Sequence, residues 1–186
     1  VSAVRQELGL ELSVGELFDH PTLEGLSAYL GSGTGKALLE GPKRGVRPDR
    51  VPLSYSQERL WFIDQLEGSV HYHIPTVLRL QGEVEGRLLE GALRGIVERH
   101  EVLRTVIESQ EGVPYQRVKG SEGWKLERVK VEGEEALRER IKEMTGRRFD
   151  LSGDYMLRGM LVELGEGEGV LVVVVHHIAS DGWSSG

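Results

Sequence analysis

The chain has no cysteine among its 186 residues. That excludes a disulfide framework, a cysteine nucleophile and any zinc site built on thiolates. It is compatible with a reducing compartment, and a cytoplasmic location is expected. Long hydrophobic runs are also missing. The longest, residues 170–175, is far too short to cross a bilayer, and no charged-then-apolar leader opens the chain. Basic charge is in deficit: 23 Lys+Arg against 30 Asp+Glu leave a net charge of −7. A nucleic-acid binder usually carries a basic face, so that class is disfavoured. Internal repeats and low-complexity tracts are absent as well. What the chain has in excess is glycine, 25 residues, about twice the usual share. The 39% apolar content is adequate for a buried core.

Residues 1–30 read as short helices. Val1, Val4 and Leu8 keep a helical spacing that Gly9 can close, and Ser13 with Glu16 is a capping-box pattern. His20-Pro21 breaks the run, and Thr22 caps a last helix with Leu23, Leu26 and Leu30 on one side. Thirty residues of this kind cannot bury much of a core alone. From Gly31 to Arg50 the glycines and Pro42 and Pro48 give a linker composition, with Ala37-Leu38-Leu39 as its apolar patch. The chain opens at Val1 with what reads as the middle of a helix. It ends at Gly186, just past its most distinctive motif, so a fragment of something longer is expected.

From Val51 onward helix and strand alternate. Helices are expected over 56–66, with Leu60, Ile63 and Trp61 inward, and over 134–145, with Leu137, Ile141 and Met144 inward. Between them Leu88, Leu89, Ala92, Leu93, Ile96 and Val97 make a wide apolar stripe at helical spacing. Gly91 and Gly95 inside it cost about 1 kcal/mol each against Ala, which suits close approach by another element. Strands are expected over 76–81, with Pro75 at the first position, and over 103–108, 115–118, 125–131, 155–164 and 170–175. Glu111-Gly112 and the glycine-alternating stretch 165–169 read as turns. The valine run lacks alternation, so it is expected to be a central strand buried on both faces.

Directly after that strand stands His176-His177-Ile178-Ala179-Ser180-Asp181-Gly182-Trp183. Strand ends present reactive side chains on a rigid scaffold. Neighbouring side chains on a strand point to opposite faces, so only one of the two histidines can face a given cleft. A neutral imidazole is the usual general base near neutral pH. Asp181 can orient a ring or, paired with an arginine, fix the loop, and Gly182 permits a tight bend. Residue types alone leave two other readings open. One is a buried histidine pair satisfied by backbone bonds, with Asp181 as a helix cap. The other is an iron or zinc site, for which adjacent histidines are awkwardly spaced, so no metal is expected. His71 and His73 read as surface or interface residues, and His100 as a helix-end cap or core contact. Arg59 and Trp61 read as packing the first helix against the fold.

The His176-His177-x-x-x-Asp181-Gly182-Trp183-Ser184 sequence resembles the HHxxxDG motif of nonribosomal peptide synthetase condensation domains. Two further motifs of that family stand in order. Ser54-Tyr55-Ser56-Gln57-Glu58-Arg59-Leu60-Trp61 is similar to the first, with Ser56 where Ala is usual. Arg99-His100-Glu101-Val102-Leu103-Arg104-Thr105 is similar to the second. Glu7-Leu8-Gly9-Leu10-Glu11-Leu12-Ser13 and Leu17-Phe18-Asp19-His20-Pro21-Thr22 resemble the last helices of a peptidyl carrier domain.

The resemblance implies an α/β fold (an α+β sandwich): the N-terminal half of a chloramphenicol acetyltransferase-like condensation domain, preceded by short carrier helices. Its boundaries would be carrier 1–31, linker 32–50 and half-domain 51–186. It implies peptide-bond formation between carrier-bound thioesters, with His177 facing the reacting groups, His176 beside it, and Gly182 offering N–H to an oxyanion. Arg104 and Trp183 would support the site, Arg104 as the ion-pair partner of Asp181. The cofactor would be 4′-phosphopantetheine on carrier domains, its serine upstream of Val1. Partners would be upstream and downstream peptidyl carrier domains and a neighbouring adenylation domain, with no nucleic acid and no membrane. Half a domain is expected to be inactive alone. A stand-alone acyltransferase of the same superfamily and a non-catalytic carrier-docking module are the competing readings. The amino acids joined and the donor stereochemistry are not written in these residues.

Overall fold

The computed structural model describes residues 4, 7–8, 10–12, 14–32, 36–37, 45–165, 167–181 and 184. Its contacts divide it into two units, Val1–Arg47 and Pro48–Gly186.

In the first unit, helix α1 (Val14–Asp19) is followed by α2 (Leu23–Gly31). Thr22 caps α2 as expected, its hydroxyl oxygen accepting from Gly25 N–H at 3.1 Å. Glu16 accepts from the Tyr29 hydroxyl at 2.6 Å, and the His20 ring stacks on Tyr29 at 4.6 Å. These contacts tie the two helices together. The covered side of α2 is Leu26, Tyr29 and Leu30, whereas Leu23 in its first turn points to solvent. Two residues of the glycine-rich stretch are bonded back to this unit: β1 (Leu10–Glu11) pairs antiparallel with β2 (Lys36–Ala37). The expected roles of Val1, Gly9, Ser13, Leu38 and Leu39 lie outside the described residues.

The second unit holds two sheets. The smaller has the order β3 (Val51–Pro52), β6 (Val113–Val118), β5 (Thr105–Gln110), all antiparallel. The larger has the order β4 (His73–Gln81), β9 (Glu168–His176), β8 (Leu157–Gly165), β7 (Glu127–Lys130). In it β9 is antiparallel to both neighbours, and β7 runs parallel to β8. Helices α3 (Tyr55–Glu67), α4 (Gly86–Arg99) and α5 (Glu134–Gly146) complete the unit. Among the described residues, no helix is long and apolar enough to cross a membrane.

The valine strand is central and packed on both faces, as its unbroken apolar run requires, with Val173 and Val175 partly exposed. On one face Val170, Val172 and Val174 pack with Met160, Val162, Phe149, Met156 and, from α5, Leu137 and Met144. On the other, Leu171 packs with Leu157, Leu161, Trp124 and, from α4, Leu93 and Val97. The Trp124 indole N–H donates to Leu157 O at 2.8 Å, so the ring is buried without leaving its polar atom unmet.

Several expectations are corrected. The first strand of the larger sheet starts at His73, so Pro75 lies inside it. This is an edge strand, and His177 N–H bonds to Tyr72 O just beyond the ladder. Counting in twos from that bond puts the Pro75 nitrogen on the open edge, where no donor is needed. On α4 only part of the apolar stripe is inward: Leu88 is 69% and Ile96 44% exposed, while Val97 is fully buried. A Cβ on Gly91 or Gly95 would meet nothing within 4 Å, so no element of the described structure approaches there. Residues Glu101–Arg104 form a 3-10 turn, which delays β5 to Thr105. The Glu111-Gly112 turn has positive φ at both residues, 54° and 80°, the two-residue hairpin geometry that matches strand twist. The strand expected over 125–131 is shorter, Glu127–Lys130, and joins the larger sheet as β7.

Candidate functional site

The site is built where β9 ends. Side-chain alternation sends His176 and His177 to opposite sides, as expected. His176 is fully buried. Its Nδ1 accepts from Ile178 N–H at 3.1 Å, and its Nε2 stands 2.8 Å from Ser69 Oγ. Both ring nitrogens are therefore occupied, which leaves no lone pair for a shared metal. Among the described residues no group of His, Asp and Glu is gathered to hold one. Burial, reinforced by the nearby His73, His177 and Arg158, pushes His176 down to about 4. The ring is neutral at physiological pH.

His177 is exposed and lines a cleft of about 540 Å³. Its backbone N–H donates to Tyr72 O at 2.8 Å, and its ring meets the Tyr72 ring edge-on at 6.4 Å and 83°. The other walls come from all three sequence motifs. Ser56, Gln57, Arg59 and Leu60 stand on α3 with Ser54 as its N-cap, Val102 on the 3-10 turn, and Ser180, Asp181 and Ser184 on the loop after β9. The α3 wall is rigid because Ser54 and Gln57 make a reciprocal capping box, with bonds of 3.3 and 2.9 Å. Gln57 is also held from the side by Gln116 at 3.1 Å. Arg59 reaches the cleft rather than packing the helix, while Trp61 does pack on the core.

Asp181 is exposed at the rim, and its Oδ1 accepts from Ser184 N–H and Ser184 Oγ–H at 3.0 and 2.7 Å. The expected ion pair with Arg104 does not form among the described contacts. The Arg104 guanidinium donates to Lys119 O at 2.7 Å and lies 3.8 Å from Glu101. Arg104 thus ties the turn that carries Val102 to the end of β6. Gly182 and Trp183 lie outside the described residues.

His73 is not a surface residue. Its Nδ1 stands 2.9 Å from Thr145 O, and its ring meets Phe149 and His176 edge-on. Burial pushes it down as well, against the bond to Thr145. Arg158 stacks over the other ring of this cluster, 3.6 Å from the Phe149 centroid, and donates to the carbonyls of Arg147 and Arg148. His71 is exposed, and His100 caps α4 through its backbone N–H. Sequence reading missed Ser69, Asp64 and Tyr72. Ser69, the partner of His176 Nε2, lies 107 residues away, and nothing local announces it.

A family model described as a condensation domain matches residues 48–186, and one described as a phosphopantetheine attachment site matches residues 1–30. The chain belongs to the condensation-domain family. It is 39% identical over 186 residues to the dimodular nonribosomal peptide synthase of Bacillus subtilis (strain 168), covering 99% of this chain and 8% of the relative. Among solved structures it is similar to the X-domain from teicoplanin biosynthesis, with a TM-score of 0.67 and 36% identity over 73% of this chain and 30% of that one. The same X-domain is also solved in complex with OxyB. The starter condensation domain of rhizomide synthetase shares the fold, with a TM-score of 0.65 at 19% identity over 73% of this chain and 34% of that one. The chain thus spans less than a tenth of the first relative and about a third of each solved chain.

The family match on residues 1–30 raises phosphopantetheine. The described hydroxyls of this unit do not offer it an attachment point at the mouth of a helix. Thr22 is committed as a cap, Ser32 donates to Tyr29 O, and Ser27 lies inside α2. None of these described hydroxyls therefore reads as the attachment serine.

Proposed function

We propose that this chain is part of a nonribosomal peptide synthetase, with the end of a peptidyl carrier over 1–31, a linker over 32–50 and the N-terminal half of a condensation domain over 51–186. The reaction joins a carrier-bound aminoacyl or peptidyl thioester to the amine of an aminoacyl thioester. Phosphopantetheine on each carrier supplies the thiol that tethers the acyl group. The amine attacks the thioester carbonyl, a C–N bond forms and the C–S bond breaks. The proton lost by the amine balances the departing thiolate. Carrier domains on both sides and an adenylation domain are the partners of this chemistry.

The observation that supports this reading is the convergence of all three motifs on one cleft, with His177 as the imidazole inside it. His177 has two competent roles. As a general base it would take the amine proton, worth about 10²–10⁴-fold. As a hydrogen-bond acceptor it would orient the amine, where placement alone lowers the barrier substantially. The test is the pH profile of His177→Ala in the intact synthetase. Loss of a titrating limb supports the base, and a uniform fall supports positioning. An unchanged rate overturns both.

A second reading has its own support. The X-domain similarity, at 36% identity, is to a domain solved with a bound partner protein. A non-catalytic docking module on this fold would bind its partner normally in His177→Ala and show no condensation in either form.

A further inference from the structure

Behind the cleft lies a chain of polar groups, buried at His176 and Ser69 and half-buried at Asp64, that the reaction as described does not use. Ser69 is 1% exposed and His176 fully buried. The Ser69 hydroxyl stands 2.8 Å from His176 Nε2 and donates to Asp64 Oδ1 at 2.5 Å. The direction of each bond follows from chemistry. Ile178 N–H donates to His176 Nδ1, so that nitrogen carries a lone pair. A neutral ring then has its proton on Nε2, which donates to Ser69 Oγ. The Ser69 proton goes on to Asp64, a carboxylate that only accepts. The series runs one way, from the Ile178 backbone to α3.

That polarity bears on His177. Three bonds fix the first turn after β9: Ile178 N–H to His176 Nδ1, His177 N–H to Tyr72 O at 2.8 Å, and Ala179 N–H to His176 O at 3.0 Å. His177 sits between these anchors. The other tautomer of His176 would set two N–H groups against each other at Ile178, and so would the charged ring. Buried donors facing each other cost about 1–3 kcal/mol, enough to open a turn.

We propose that Ser69 and Asp64 are positioning residues for the cleft, holding His176 in its Nε2–H form so that its Nδ1 anchors the turn that aims His177. This rests on the reading that His177 faces the reacting amine. The lowered pKa of His176 agrees with a ring held neutral. Burial alone explains a buried serine. It does not explain a series whose every donor points away from the loop it fixes.

The test compares Ser69→Ala, Ser69→Thr and Asp64→Asn with His177→Ala in the intact synthetase that carries this segment, with donor and acceptor loaded on their carriers. The kcat for condensation, the KM for the acceptor carrier and thermal unfolding are measured for each. Val172→Ala, buried in the same face of β9, controls for destabilisation. Ser69→Ala is expected to lower kcat about 10–100-fold with KM nearly unchanged, since a reacting group misplaced by 1 Å costs about 10²-fold. Ser69→Thr should restore most of the rate, Asp64→Asn should fall between, and Val172→Ala should lose melting temperature but not kcat. A wild-type kcat in Ser69→Ala beside an inactive His177→Ala overturns the positioning role and leaves the reading of the cleft intact. A wild-type rate in His177→Ala overturns that reading and the proposal with it. An equal loss of kcat in Val172→Ala also overturns the proposal. If Ser69→Ala does not fold, Asp64→Asn decides: lowered kcat at constant KM supports the role, and wild-type kcat ends it.

Discussion

The two sides of the β9 terminus carry the same side chain and treat it in opposite ways. On the dry side His176 is enclosed with Ser69, Phe149 and His73, both ring nitrogens spoken for. On the open side the contacts of His177 among the described residues run through its backbone and the edge of Tyr72, with its ring facing a cleft. One residue of register separates a buried ring, held neutral, from an exposed one that faces the cleft. Shape is invested on the first side so that chemistry can be done on the second. The division predicts that substitutions on the open side change rate without changing stability, and that substitutions on the dry side outside the Ser69–Asp64 series cost stability and spare the rate.

The largest effect expected is from His177→Ala. Condensation in the intact synthetase should fall by about 10²–10⁴-fold. Thermal unfolding should move little, because an exposed ring contributes within about 0.5 kcal/mol. A loss of stability comparable to that of a core substitution would erase the contrast between the two sides.

Next is the response of the dry side to acid. An unfolded histidine takes up a proton near pH 6.5, whereas folded His176 resists until about 4. Between those values the unfolded chain holds the extra proton, so stability falls as pH falls, by up to about 3 kcal/mol across the window. His73 is lowered too and acts in the same direction. The groups facing His176 are His73, His177 and Arg158, and the Asp64 carboxylate reaches it through the Ser69 hydroxyl without reversing the sign. Chemical denaturation at pH 7, 5.5 and 4.5 reads this out. His176→Gln should flatten the slope, and an unaltered slope would mean that the buried ring is not its source.

Smaller again is Arg158→Met. The guanidinium stacks on Phe149 and bonds the carbonyls of Arg147 and Arg148, closing the dry side from below. Losing it should cost about 2 kcal/mol by denaturant unfolding, with kcat unchanged.

How far the sequence foretold this division depends on the range of the interactions. Alternation along β9 is local, so the split between His176 and His177 could be read directly, as could the Thr22 cap and the central valine strand. The Ser54–Gln57 capping box follows from i,i+3 spacing within the first motif. The α4 stripe was legible as helical but not as to depth. Six apolar residues span more of the helix than one sheet face can cover, and Leu88 and Ile96 are left outside. Arg104 and Asp181 show the limit of pattern. The resemblance implied that the two pair, yet the 3-10 turn delivers the guanidinium to the Lys119 carbonyl. Ser69 and Asp64 were not legible, because a hydroxyl and a carboxylate are common and their meeting with His176 depends on how α3 is laid beside the sheet.

The finest test of the contrast is at Tyr72, which belongs to the open side by its ring and to the sheet by its backbone. Its carbonyl receives the His177 N–H whatever the side chain is, so the ladder survives substitution. The ring is a different matter, because it offers an aromatic face or edge to the imidazole at 6.4 Å. Tyr72→Phe keeps that contact and should leave kcat within about twofold of the parent. Tyr72→Ala removes it, and aromatic pairs of this kind contribute about 0.5–1.5 kcal/mol. If that energy holds the His177 ring toward the acceptor, kcat should drop by roughly 2- to 12-fold, since about 1.4 kcal/mol corresponds to tenfold. Denaturant unfolding should scarcely register the change. Should Tyr72→Ala instead destabilise the fold while sparing the rate, the ring would belong to the dry side, and the boundary between shape and chemistry would run through the cleft rather than behind it.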